Sequence, residues 1–545
     1  MPAKTADGIP ATRRLHSKQM TILLQDLILD GADRAPDADA VRYQNRSLTY
    51  AALAEQMGAA ATGYRRLRLE RHDRVAVYLE KRFETVLALF AAAAAGGVYV
   101  PVNPQLKPEQ VGYILRDCNV RVLVTSPERL AALQPELSAC PDLRSIVVVG
   151  DHDAPMPTSL AVVPWDELIS GNNLAPTHRS IDSDMVAILY TSGSTGKPKG
   201  VVLSHRNVVA GAQSVSQYLE NRATDILLAV LPFSFDYGFS QLTTGFYRGA
   251  CVVLINYLLP RDVITAVARE RITGLAAVPA LWIQLAQLEW PDSVHEHLRY
   301  LTNSGGAMPR VVIETLRRKL PATQLFLMYG LTEAFRSTYL EPSELDRRPD
   351  SIGKAIPNAE ILVVRADGAT CAPGEPGELV HRGALVGLGY WNDPEKTAER
   401  YRPAPMQSAG LTRPEIAVWS GDTVRMDEEG FLYFIGRKDD MIKTSGYRVS
   451  PTEIEEVVYG TGLVTEAAAF GVAHPTLGQG IVVTAVPIKE GTLDRDALLA
   501  ACKQHLPTFM VPLLIQSRAS LPRNPNGKID RKQLAHECEG CFEDK

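Results

Sequence analysis

The chain predicts an α/β architecture: a large N-terminal domain with mostly parallel sheets and flanking helices, plus a small α+β C-terminal domain. Short β-rich runs alternate with helix-like segments through its first four fifths. The pattern changes just beyond residue 437, where a charged stretch opens. A length of 545 residues also exceeds what one ordinary core encloses.

In chain order, residues 1–20 mix basic and polar types without an apolar centre, which predicts a flexible N-terminus and no secretory signal. Residues 86–102 form the longest apolar stretch. It is rich in alanine and glycine and broken by Pro101, which predicts a buried helix running into a Gly96-Gly97 turn and no membrane span. Residues 121–124, 145–149, 185–190, 226–231 and 251–255 predict strands; 207–219, 263–269 and 311–320 predict helices. A strand at 431–435 precedes Gly436-Arg437-Lys438-Asp439-Asp440, so the domains are expected at 21–437 and 438–545. In the second, Ser450 is expected to cap a helix with Pro451 in its first turn and Glu453 closing the box. A strand at 481–488 and a helix at 495–505 complete it.

The richest stretch is Tyr190-Thr191-Ser192-Gly193-Ser194-Thr195-Gly196-Lys197-Pro198-Lys199-Gly200. After a buried strand it offers three glycines, four aliphatic hydroxyls, two lysines and no acid. Glycine lets backbone N–H groups face a concavity, hydroxyls add donors and lysines add charge, so the loop suits phosphate oxygens. It is not a Walker A loop, because Pro198 follows Gly196-Lys197 where Ser or Thr is required.

Composition narrows the function. The hydrophobic share of 46% and charged share of 22% are those of a globular protein, and a net charge of −5 provides no field for a nucleic acid. Of seven cysteines only Cys538 and Cys541 are close, with no second pair to complete a zinc site. Reduced thiols and a cytoplasmic setting are expected.

With five later motifs in order, the loop resembles the adenylate-forming superfamily of acyl- and aryl-CoA synthetases, luciferases and nonribosomal peptide adenylation domains. The motifs are Asn303-Ser304-Gly305-Gly306-Ala307, Tyr329-Gly330-Leu331-Thr332-Glu333, Trp419-Ser420-Gly421-Asp422, the stretch from Gly436 to Arg448, and Pro525-Asn526-Gly527-Lys528. Alone, Asp422 reads as a turn aspartate and Lys528 as a loop lysine. Order and spacing set them apart.

The resemblance implies attack of a carboxylate on the α-phosphate of ATP, then displacement of AMP by a thiol, with ATP, Mg²⁺ and CoA or phosphopantetheine as cofactors. It assigns Lys528 as the catalytic cation, Thr332 as a donor to the α-phosphate and Glu333 as the Mg²⁺ ligand. Thr191, Ser192, Gly193, Ser194, Thr195, Gly196, Lys197 and Lys199 would hold the β- and γ-phosphates. Gly305, Gly306, Ala307, Tyr329 and Gly330 would bound the nucleotide, with Asp422 on the ribose and Arg437 beside it. Asp439 would be the hinge of a mobile small domain, and Lys443, Gly446 and Arg448 would line the thiol side.

The acyl side is expected around Phe235, Asp236, Gly238, Pro279 and Arg336, with residues 276–281 and Trp282 as a small apolar wall. Phe235-Asp236 resembles the pair with which amino-acid-activating domains hold an α-ammonium. Asp236 capping a helix is the other reading. Residues 274–279 and 333–340 are also similar to acyl ligases associated with exopolysaccharide and exosortase gene clusters. The expected function is therefore an AMP-forming acid–thiol ligase with a small-acid substrate and possible carrier-protein partner. The alternative is a stand-alone amino-acid adenylation enzyme.

Overall fold

The computed structural model describes residues 21–150, 160–170, 179–191, 198–406, 410, 412–437, 440–444, 447–488, 493–524 and 527–542. The expectations for residues 1–20, for Ser192 to Lys197, and for Asp439, Gly446, Pro525 and Asn526 lie outside them. Among the described residues the alternation becomes three sheets.

In the first, of eight strands, Val98–Pro101, Arg74–Tyr78, Val120–Thr125, Ser145–Val148 and Ala161–Pro164 lie side by side in parallel. Met185–Thr191 joins Val98–Pro101 in parallel, and Lys199–Ser204 turns back against it antiparallel. These strands are nearly continuous apolar runs because both faces are covered.

The second sheet holds fourteen strands. Its parallel block runs Gln324–Tyr329, Tyr300–Asn303, Gly274–Ala277, Ile226–Ala229, Cys251–Leu254 and Asp39–Tyr43. An antiparallel extension follows: Thr338–Leu340, Ser351–Ala355, Leu432–Arg437, Ile416–Met426, Gly377–Gly383 and Ala359–Val364. The core between the two sheets is aromatic in part. Phe90, on the buried helix Phe83–Ala94, stacks on Phe239 at 5.7 Å and meets Phe246 edge-on at 5.4 Å.

The apolar stretch 86–102 is therefore a buried helix, a turn at Gly96 and the strand Val98–Pro101. No helix among the described residues is long and apolar enough to cross a membrane. The helix expected at 207–219 begins earlier, as His205–Tyr218. Ser204 accepts from the Asn207 N–H and the Asn207 side chain returns to the Ser204 N–H, a capping box the sequence reading passed over.

Beyond residue 440 a five-stranded sheet of Tyr447–Val449, Ile442–Thr444, Gly478–Pro487, Val464–His474 and Leu514–Ser517 packs the helices Pro451–Gly460 and Arg495–His505 on one face. Arg531–Glu537 lies on the other. These cores draw only on residues after 441. Ser450 does precede Pro451 at the helix start, but the expected box does not form. Its hydroxyl pairs with that of Thr452 at 2.7 Å and caps no backbone N–H.

Gly353 shows how tightly the antiparallel extension is built. It sits at φ +83°, and a Cβ there would lie 1.8 Å from the Tyr339 carbonyl oxygen. Gly353→Ala is expected to cost on the order of 2–4 kcal/mol from strain and clash, read as a lowered midpoint of thermal unfolding. An unchanged midpoint would contradict this packing.

Candidate active site

Four adjacent parallel strands end on one edge of the second sheet, and each delivers a predicted motif there. Ile226–Ala229 leads to Phe235 and Asp236; Gly274–Ala277 leads to Pro279. Tyr300–Asn303 leads to Gly305, Gly306 and Ala307, and Gln324–Tyr329 to Gly330, Thr332 and Glu333. Carboxyl ends of parallel strands are where open α/β sheets bind ligands, because the chain there is free to loop while the strand fixes its start. Antiparallel pairing sets Asp422 opposite Arg437, and in the first sheet it sets Thr191 opposite Lys199 at the two ends of the hydroxyl-rich loop.

Three carboxylates organise the cleft. Asp422 is 8% exposed; the Tyr329 hydroxyl donates to its Oδ2 at 2.5 Å and Arg437 Nε to its Oδ1 at 3.1 Å. Asp236 is 4% exposed; Thr332 Oγ1 donates to its Oδ1 and Arg336 Nη1 to its Oδ2, both at 3.1 Å. Glu333 is half-buried, and the Tyr390 hydroxyl donates to its Oε1 at 2.5 Å. Burial raises the pKa of Asp422 and of Asp236, against the pull of their arginines. Glu333 differs from both: its second oxygen has no hydrogen-bond partner, and no cation is within ion-pair distance, among the described residues.

Lys528 reaches this cleft from the small lobe. Its Cε lies 3.7 Å from where Gly305 would carry a Cβ, a point that Phe235 Cζ approaches equally closely. Its ammonium feels Asp236, Asp422 and Glu333 together. Burial, then Arg437, lowers its pKa, and the three carboxylates oppose them. Lys528 keeps solvent contact, so water screens part of that push.

Several acyl-side residues take other positions than the sequence suggested. Asp236 opens the helix Asp236–Arg248 but caps nothing; its carboxylate turns inward to a buried pair with Arg336, itself 2% exposed and stacked over the Tyr237 ring at 4.6 Å. Thr332 donates its only hydroxyl proton to Asp236, so donating to an α-phosphate requires that hydroxyl to turn. Gly238 is a packing glycine: a Cβ would lie 2.0 Å from the Pro232 oxygen. Trp282 lines no wall. It is fully buried, and its Nε1 donates to the carbonyls of Ala277 and Thr302. Lys443 is exposed on the hairpin with Tyr447–Val449, the strand that contains Arg448, and its N–H donates to Gln479 Oε1 at 2.7 Å.

Tyr390 was missed. It stands 57 positions from Glu333, on the two-residue strand Gly389–Tyr390 that pairs with Lys199–Ser204, and a lone tyrosine carries no sequence signal. Lys199 Nζ sits 5.4 Å from its ring centroid.

The sequence matches the AMP-binding enzyme family over residues 29–391 and the AMP-binding enzyme C-terminal domain over residues 453–528. It is 29% identical to bacitracin synthase 3 of Bacillus licheniformis, across 94% of this chain and 8% of that protein. The chain thus spans only a small part of that much longer relative. It is 28% identical to a long-chain-fatty-acid–CoA ligase of Bacillus subtilis (strain 168), across 94% of each. Among solved structures, o-succinylbenzoate CoA synthetase from Bacillus subtilis, in complex with its acyl-adenylate intermediate, aligns with a TM-score of 0.79 and 26% identity over 93% of this chain and 97% of that one.

The Asp236–Arg336 pair yields a stability test. Arg336→Ala strands a buried carboxylate without its counter-charge, which typically costs about 3–5 kcal/mol. The folded-state pKa of Asp236 is already raised and rises further without Arg336, so the folded state binds a proton the unfolded state has released. The stability deficit of Arg336→Ala, measured by thermal melting, is therefore expected to be largest near pH 7 and to shrink as pH falls towards 5. A deficit constant with pH would mean that Asp236 is not the stranded group.

Proposed function

The chain belongs to the AMP-binding enzyme family, and from that we propose that it is an AMP-forming acid–thiol ligase. A carboxylate oxygen attacks the α-phosphorus of ATP, the bond to the β-phosphate oxygen breaks, and acyl-adenylate and pyrophosphate form. A thiol of CoA or of a phosphopantetheinyl carrier protein then attacks the acyl carbon. AMP leaves and the thiol gives up its proton.

The observation that carries this reading is that Lys528 enters the cleft beside Gly305 and Phe235, where its ammonium feels Asp236, Asp422 and Glu333. Negative charge grows on the α-phosphate oxygens as the carboxylate attacks, and a cation fixed there beforehand stabilises that state more than the ground state. Asp422 retains lone pairs beyond those taken by Tyr329 and Arg437, enough to accept from ribose hydroxyls. Thr191 and Lys199 frame the β- and γ-phosphate side.

Glu333 suits Mg²⁺. No group of three or more metal-ligating side chains occurs among the described residues, and Mg²⁺ takes one or two carboxylates plus substrate phosphates and water. One oxygen of Glu333 is steadied by Tyr390, and the other has no partner among the described residues. Bound Mg²⁺ would neutralise part of the triphosphate charge.

The domains are proposed at 21–437 and 438–545, with Asp439 as the hinge about which Lys528 withdraws and Lys443, Gly446 and Arg448 approach for the thiol step. Asp236 favours a simple acid over an amino acid. Its charge is already met by Arg336 at 3.1 Å, so it offers an α-ammonium little further attraction.

Acid-dependent pyrophosphate exchange, screened across alkanoic, hydroxy, aryl and amino acids, tests the reading; exchange is expected with non-amino acids. Lys528→Ala is expected to lower that exchange by about two to four orders of magnitude. Thioester formation from supplied acyl-adenylate should survive. Equal loss of both half-reactions would reject a lysine that serves only the first.

A further inference from the structure

The helix Pro394–Arg400 ends on a guanidinium to which the motifs assign no part. Arg400 is half-buried; its Nη1 donates to the Trp419 carbonyl at 3.1 Å. The group lies on Gly421, where a Cβ would come within 2.3 Å of Nη1 and 3.2 Å of Nη2. These contacts hold the guanidinium beside Asp422, its group also bonds the Tyr390 hydroxyl, and further donors of its five remain for a ligand.

Its neighbours mark out a place between two ends of the cleft. Its charge reaches Asp422 at the ribose end, and Tyr390, Tyr401 and Lys199 at the end where Tyr390 holds Glu333. Among the described residues, neither Arg400 nor Lys199 has a carboxylate within ion-pair distance. Lys396 on the same helix is different, being paired with Glu399 at 3.0 Å. Two cations without an ion pair among the described residues thus stand by the tyrosine that steadies Glu333. Like charges so placed repel, unless a strongly anionic ligand fills the space between them.

We propose that Arg400, together with Lys199, grips the β- and γ-phosphate oxygens of ATP and then the departing pyrophosphate. This rests on the adenylation reading above. The planar fork of Arg400 can give two parallel N–H bonds to one phosphate, and its charge offsets what accumulates on pyrophosphate as the bond to the α-phosphate breaks.

The test compares wild type, Arg400→Gln and Arg400→Lys by calorimetric binding of AMP, of pyrophosphate and of ATP with Mg²⁺, without acid substrate. The KM for pyrophosphate in exchange and the rate of thioester formation from supplied acyl-adenylate are measured alongside. Arg400→Gln is expected to weaken ATP and pyrophosphate roughly tenfold or more, the scale of one lost charge-assisted pair, and to leave AMP binding and the thiol step within about threefold. Arg400→Lys should recover part of the loss, since it keeps the charge without the fork.

Equal weakening of AMP and ATP would overturn the proposal, assigning Arg400 to the nucleoside end or to packing. So would unchanged ATP and pyrophosphate affinity. Should Arg400→Gln melt far below wild type, the ATP-to-AMP ratio in Arg400→Lys decides. If wild type binds ATP but shows no exchange with any acid, the adenylation reading fails while the binding comparison still reports on Arg400.

Discussion

The cleft depends on how three buried or half-buried carboxylates are compensated. A charge removed from water must meet a counter-charge or hydrogen bonds, and each carboxylate here receives one hydroxyl: Thr332 to Asp236, Tyr329 to Asp422 and Tyr390 to Glu333. Two then receive an arginine, Arg336 and Arg437 respectively. Glu333 receives none. Among the described residues its second oxygen has no partner, so an incoming cation finds there a carboxylate that no arginine closes. The difference between Glu333 and its neighbours thus comes from its partners, since the three side chains are chemically alike.

Much of the scaffold beneath this arrangement was legible in the sequence. Apolar runs at 226–231, 251–255 and 185–190 are strands because both of their faces are covered, and the motifs that begin at Asn303 and Tyr329 fall at strand ends. Of the antiparallel extension only the strand at 431–435 was legible, as Leu432–Arg437. Its strands mix buried and exposed positions, and several pair out of chain order, as Ser351–Ala355 does with Leu432–Arg437 and Gly377–Gly383 with Ile416–Met426. The partners of the site were hidden for the same reason. Asp236 and Arg336 are a hundred residues apart, and only the sheet order that places Ile226–Ala229 near Gln324–Tyr329 lets them meet. Ser450 shows a local rule overridden by a nearer partner, the Thr452 hydroxyl.

The small lobe meets the large one through polar groups as well as through Tyr459, which packs on the large core. Glu456, on Pro451–Gly460, accepts from the backbone N–H of Arg310 at 3.1 Å, at the first turn of Arg310–Lys319, and the Arg310 side chain pairs with Asp350. Glu456 is only partly buried, so water can take over its bond to Arg310 when the lobes part. Lys528 then rests on solvent-accessible contacts while the cores on either side stay intact. Such an interface separates at modest cost, as the proposed two-step chemistry requires.

A buried ion pair is rarely the most stabilising way to fill a site, since apolar residues of similar volume often do as well. The Asp236–Arg336 pair therefore calls for a reason other than stability, and its third member supplies one. Asp236 fixes the Thr332 hydroxyl, and Thr332 precedes Glu333 on the same short turn Thr332–Ala334. Arg336 leaves that turn and folds back over Tyr237 to hold Asp236 from the other side. The pair ties the turn to the first residue of the helix Asp236–Arg248, and so fixes the backbone that carries Glu333. An apolar substitute would fill the volume but would not orient a hydroxyl or tie those two segments together. The cost of burying two charges is, on this view, spent on placing Glu333.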